Sequence, residues 1–233
     1  MIERHLKNTL PQEYDINPDI VVVPFAKKTR PFTEVDSKSC DEAKAKSKNN
    51  EVSFRKFERL CRTCDRIILK VDNSEHEITV IEFEKYLNNL PKRISYSKRC
   101  DLIMTDGISH NKIVFCELCC YDEKYLTGDN GCLSGGKRAR AREQMKQSVE
   151  FLLNIRQIDH YIMTYPQKIC LFAYKSFSTL EKPVYAQKKD AEANMQAMFT
   201  TASSICSQFS SEMVIQDNHF KFVQNAYPTI YKW

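Results

Sequence analysis

Two carboxylates flank a short turn in the middle of this chain. Asp101 precedes the apolar run from Leu102 to Met104, and Glu117 interrupts a second apolar run from Ile113 to Leu118. Side chains two apart on a strand share a face, so Phe115, Glu117 and Cys119 point one way and Val114, Cys116 and Leu118 the other. A glutamate in such a strand is costly if buried without a partner. One chemistry that accommodates it is a hard divalent cation: Mg²⁺ takes one or two carboxylates and completes its shell with water and phosphate. The cation then stabilises charge and activates water in phosphodiester cleavage. The alternative is structural, with Glu117 reaching solvent at the sheet end and Asp101 acting as a turn acceptor.

The surrounding pattern predicts the elements that hold these groups. The β-branched run between Asp19 and Phe25 predicts a buried strand. Residues Ala26 to Asn50 are polar and read as a linker or mobile loop. Phe54, Phe57, Leu60, Cys61 and Cys64 recur at helical spacing, and Arg66 to Val71 reads as a strand. Thr79 to Glu82 has the form of a capping box, opening a helix through Phe83, Tyr86, Leu87 and Leu90 that stops at Pro91. The strand pair follows, then a glycine-punctuated loop from Tyr121 to Gly136. A helix over about 137–156 presents Ala141, Met145, Ser148, Leu152 and Ile155 on one stripe, with Ser148 its single polar member. Lys168 to Tyr174 reads as a strand, Ala191 to Phe209 as a helix, and 213–223 as a terminal hairpin. The class is α/β: an N-terminal strand and polar linker over 1–50, then one domain over 51–233.

The start of the 137–156 helix is basic: Lys137, Arg138, Arg140 and Arg142 precede the first acid, Glu143. Cations oppose the macrodipole there, which points to an anionic partner whose phosphates meet backbone N–H groups and arginines. The other reading is a solvated charge run.

Residues 100–150 resemble the PD-(D/E)xK nuclease superfamily, the restriction-endonuclease-like fold. Cys100-Asp101 stands at the Pro-Asp position, Glu117-Leu118-Cys119 at the acid-x-Lys position, and Gln144 where many members carry a glutamine. The resemblance covers about a quarter of the chain closely. It implies a mixed β-sheet flanked by helices, Asp101 and Glu117 as ligands of Mg²⁺ or Mn²⁺, and a nucleic-acid substrate, DNA in preference to RNA. It is similar to accessory nucleases of prokaryotic defence or repair, and a homodimer is compatible with it. Cys119 departs from the pattern, because a thiol with a pKa of about 8.5 is mostly neutral and supplies no cation. Either a lysine reaches in from elsewhere or the fold serves as a nucleic-acid-binding or protein-interaction module without catalysis. Lys98, Lys137, Lys146 and Lys175 are the alternatives, with Lys137 preferred because it shares a helix side with Gln144.

Composition bounds the rest. A formal net charge of +5 does not by itself demand nucleic acid, and 42% hydrophobic content suffices for a core. No apolar run approaches the roughly 18 residues of a membrane span, and the N-terminus lacks a signal-peptide core. A cytoplasmic location is therefore expected, with the ten cysteines as thiols. Cys61, Cys64, Cys116 and Cys119 offer a rival zinc site, although Cys116 and Cys119 should face opposite ways. The five histidines form no ligand pair, and His110 and His160 read as surface residues.

Overall fold

A computed structural model describes residues 1–35, 67–73, 76–91, 99–107, 109–122, 136–177 and 208–233. In chain order the helices are α1, a continuous run of α (Ile2–Arg4), π (His5–Thr9) and α (Leu10–Glu13) turns, then α2 (Phe83–Asn89), α3 (Gly136–Leu153) and α4 (Arg156–Met163). The strands are β1 (Phe25–Lys28), β2 (Phe32–Val35), β3 (Ile67–Asp72), β4 (Ile78–Glu82), β5 (Leu102–Asp106), β6 (Lys112–Asp122), β7 (Gln167–Phe177), β8 (Gln208–Ile215), β9 (Asn218–Ala226) and β10 (Ile230–Lys232). The class is mixed α/β with a large mixed sheet flanked by helices.

That sheet has seven strands in the order β1-β4-β5-β6-β7-β9-β8. β4, β5 and β6 form an antiparallel meander, and α3 and α4 carry the chain over to β7, which pairs with β6 in parallel. A second sheet of three strands, β10-β3-β2, lies against one face. The helices cover the other, so β6 is buried on both sides from Ile113 to Leu118. Double coverage explains why β6 reads as a near-continuous apolar run. Alternation divides it cleanly: Ile113 and Phe115 enter the helical-side core, while Val114, Cys116 and Leu118 enter the core beneath the small sheet.

The α3 stripe is buried as its spacing predicts: Ala141, Met145, Ser148, Leu152 and Ile155 are each at most 2% exposed. The helix itself ends at Leu153. Ile155 adopts an extended conformation and starts α4, where its carbonyl accepts from the Ile158 and Asp159 amides.

Several expectations are corrected. No strand forms over 19–24; Pro18–Ile20 is a 3-10 turn and the strand begins at Phe25. Pro18 and Pro24 bracket the β-branched run and donate no ladder hydrogen bond, and Ile20 and Val22 are exposed. Part of the supposed linker is ordered as β1 and β2. The capping box does not exist: Thr79 lies inside β4, and α2 has no side-chain cap. Ile78, Val80 and Ile81 instead pair across to β5. Tyr121 and Asp122 belong to β6 rather than to the following loop. Residues 1–35 share the core and the sheets of the rest, with Ile2, Leu6 and Leu10 of α1 fully buried and β1 paired to β4. The expected helical spacing at 54–64, the 123–135 part of the loop and most of the 191–209 helix lie outside the described residues; 208 and 209 are in β8.

Candidate functional site

The β5–β6 register begins at the Leu102–Cys116 pair, so Asp101 and Glu117 are the next residues along the two chains beyond that pair. Glu117 lies on the face of Phe115, beneath α3. Asp101 lies just outside β5, where the chain bends, and its Oδ2 accepts from the Leu118 amide at 2.8 Å. This bond crosses to the strand that carries Glu117, so it ties the two carboxylate-bearing segments together.

Helix α3 supplies the remaining support. Gln144 donates from Nε2 to Glu117 Oε1 at 2.9 Å and to the Arg99 carbonyl at 3.1 Å. One turn later, Ser148 Oγ accepts from the Cys100 amide at 2.7 Å and donates to the Gln144 carbonyl at 2.9 Å. The 99–101 segment is therefore held to α3 by two hydrogen bonds and to β6 by a third. Glu117 is only 7% exposed, which excludes the reading in which it simply reaches solvent. The Gln144 amide satisfies one of its two oxygens, Oε1, and so offsets part of the cost of burying the charge.

Both carboxylates act electrostatically on the buried thiol that precedes Asp101. Burial pushes the Cys100 thiol well above its usual range, with the charges of Glu117 and Asp101 adding to it while Ser148 opposes. Cys116 is driven up by burial first and by Asp101 next. These thiols stay protonated and inert rather than nucleophilic.

The sequence-derived residues divide into those brought together and those kept apart. Asp101 and Gln144 both bond to the Glu117–Leu118 stretch of β6, Gln144 to the Glu117 carboxylate and Asp101 to the Leu118 amide. Cys119 is half-buried against the helical-side core, on the face of Glu117. Lys137 is in the first turn of α3, about 10 Å along the axis from Gln144 at 1.5 Å per residue, and no hydrogen bond or ion pair joins it to either carboxylate. Lys146 pairs with Glu150 at 3.7 Å. Lys175 lies 4.5 Å from the Tyr227 ring centroid; its register partner is Cys120, on the opposite face from Glu117. Lys98, Cys61 and Cys64 lie outside the described residues. Of the basic helix start, Arg140 is exposed and Lys137 and Arg138 are half-buried. Arg142 is held on the sheet: it donates to the Glu212 carbonyl at 3.1 Å and lies 5.3 Å over the Phe222 ring. His160 is exposed. His110 is instead packed against Tyr161 and Tyr165.

Sequence reasoning missed the part of Arg99, which acts through its backbone carbonyl and so leaves no side-chain signal. It flagged Ser148 as a polar residue on a buried stripe without giving it a partner. That anomaly was the available signal, since a buried hydroxyl needs hydrogen bonds.

The donor set suits a hard cation better than a soft one. Mg²⁺ uses one or two carboxylates and keeps waters and phosphate, and the two carboxylates here are a buried Glu117 and a half-exposed Asp101. Among the described residues, no group of three or more His, Cys, Asp or Glu is gathered to hold a metal. Cys116 and Cys119 face opposite sides of β6, which removes the shared-thiolate arrangement. No helix among the described residues is long and apolar enough to cross a membrane. No family model, no curated protein and no solved structure matches the chain.

Proposed function

We propose that this protein binds Mg²⁺ or Mn²⁺ between Asp101 and Glu117 and hydrolyses phosphodiester bonds of nucleic acid, DNA before RNA, on a sheet of restriction-endonuclease-like topology. The observation that carries the reading is that Asp101 and Gln144 both bond to the Glu117–Leu118 stretch of β6, through the Leu118–Asp101 and Gln144–Glu117 hydrogen bonds. The order of elements supports it: an antiparallel meander, a helical crossover and a parallel strand, with the acids at the start of β5 and within β6. When bound, the cation supplies charge stabilisation and an activated water. The chain's own residues do the positioning. Gln144 fixes the rotamer of Glu117, and the Leu118 amide fixes that of Asp101. Lys137, Arg138 and Arg140 meet phosphates at the N-terminal end of α3, and Arg142 braces that helix on β8 and β9.

A second reading follows from one observation. Cys119 is a half-buried thiol where the resemblance implies a lysine, so the same fold without cleavage is a binding module. The experiment is cleavage of single- and double-stranded DNA and RNA with Mg²⁺, Mn²⁺ or EDTA. Metal-dependent cleavage lost by more than about 10²-fold in Glu117→Ala and in Asp101→Ala supports the nuclease. No wild-type cleavage on any substrate, with weak cleavage appearing in Cys119→Lys, supports the binding module.

A further inference from the structure

Ser148 is 2% exposed, in the middle of the face that α3 buries. A hydroxyl there gains nothing from the apolar neighbours Met145, Val149 and Leu152, so its two hydrogen bonds explain its place. It donates one bond within its own helix, to the Gln144 carbonyl. The other reaches out of the helix and accepts the Cys100 amide at 2.7 Å. Cys100 immediately precedes Asp101, and its side chain is fully buried. The amide is thus pinned at the point where the chain turns into β5.

The bond from Ser148 acts one residue from Asp101, and the bonds from Gln144 act on Arg99 and Glu117. A single turn of α3 therefore grips both sides of the carboxylate pair. Alanine at 148 would leave a buried amide unsatisfied and loosen the backbone at Cys100, between the Gln144 bond at Arg99 and the bonds that Asp101 receives from the Leu118 and Phe83 amides. Glu117 would keep its own partner.

We infer that Ser148 is a positioning residue that sets Asp101 for cation binding by fixing the Cys100 amide. The inference rests on the proposed metal site. Outer-shell partners of this kind change metal affinity by roughly 10- to 100-fold.

The test is Mn²⁺ affinity of the full chain without nucleic acid, read by calorimetry or by the Mn²⁺ resonance signal. Wild type, Ser148→Ala, Ser148→Cys, Ser148→Thr and the packing control Val149→Ala are compared. Ser148→Ala and Ser148→Cys should bind at least about 10-fold more weakly, and Ser148→Thr, which keeps the hydroxyl, should stay within a few-fold of wild type. Amide exchange at Cys100 should quicken in the first two and not in the third. Val149→Ala, which opens a cavity on the same helix but touches no hydrogen bond, should keep wild-type affinity. Wild-type affinity in both Ser148→Ala and Ser148→Cys overturns the inference and leaves the metal site standing. So does an equal loss in Val149→Ala, which would trace the effect to helix stability. No Mn²⁺ binding by wild type, with Cys100 exchange still quickened in Ser148→Ala, overturns the metal site itself and this inference with it. If Ser148→Ala fails to fold, Ser148→Cys, which keeps the volume, decides alone.

Discussion

Removing the Gln144 side chain tests whether Glu117 is held as a buried charge. Gln144 makes two hydrogen bonds, one to a carboxylate and one to a neutral carbonyl. A bond to a charged group contributes about 1.5–3 kcal/mol and a neutral one about 1 kcal/mol. Gln144→Ala should therefore cost about 2.5–4 kcal/mol in the wild-type background. In the Glu117→Ala background the charged bond is already gone, and the same substitution should cost only about 1 kcal/mol. The coupling energy is the difference, about 1.5–3 kcal/mol, and loss of the glutamine methylenes cancels between the two arms. The assay is urea unfolding followed by circular dichroism, with EDTA present so that no divalent cation biases the native state. At about 2–4 °C per kcal/mol for a domain of this size, Gln144→Ala alone should lower Tm by roughly 5–15 °C. A coupling below about 0.5 kcal/mol, the usual scatter of additivity, would refute the Gln144–Glu117 contact as a support of the buried charge.

Two further outcomes are expected. Replacing Lys137, Arg138 and Arg140 together should weaken DNA binding for all sequences and reduce the salt slope by about two to three, at roughly 0.9 per phosphate contact, whereas Arg142→Met should leave the slope unchanged and lower stability through its lost contacts with Phe222 and Glu212; an unchanged slope in the triple variant makes the run a solvated face. Stability should also fall as pH rises above 9: burial raises the Cys100, Cys116 and Cys170 thiols above their ordinary 9.0, so the unfolded chain loses these protons first, stability is fully present below that pH, and each thiol contributes up to about 1.4 kcal/mol per pH unit above it. Cys170→Ala should flatten the slope of unfolding free energy between pH 9 and 10, and an unaltered slope would reject burial of that thiol as its cause.

What could be read from sequence was whatever depends on local period. The strands at 67–72, 102–106, 112–118 and 168–174 announce themselves because both faces, or one face consistently, are apolar. The stripe on α3 is equally plain. Thr79 to Glu82 misleads because serine- or threonine-led capping patterns also occur by chance within β-branched strands, and pairing of Ile78 to Ile81 with β5 outweighs the local signal. Ile2, Leu6 and Leu10 recur every fourth residue, a helical signal for α1 that was present and passed over. The small sheet was not legible at all. Tyr231 of β10 pairs with Val71 of β3, a partnership between distant parts of the chain that no window reports. For the site, the place of Asp101 and Glu117 just beyond the Leu102–Cys116 pair followed from the hairpin alone. Contacts made through backbone groups, at Arg99, Cys100 and Leu118, carry no residue-type signature.

Cys119 is the point on which the two functional readings separate, and its surroundings explain what the chain does without a lysine there. The thiol packs on the helical-side core, beside Tyr174 in the parallel register and in line with buried Phe115. An ammonium at that position would have to extend past these groups to reach water, at the cost that any poorly solvated charge carries. A small, weakly polar side chain avoids it. A cation for the carboxylate pair must then come from outside β6. Of the described lysines raised for the task, Lys146 is committed to Glu150 and Lys175 to the ring on the far face. Lys137 sits where α3 begins, on the helix that already delivers Gln144 to Glu117. A phosphate entering between the helix start and the carboxylates would draw that side chain inward. On the proposed nuclease reading, Lys137 would be a cation recruited by substrate, whereas a lysine at 119 would have been held in place before substrate arrived.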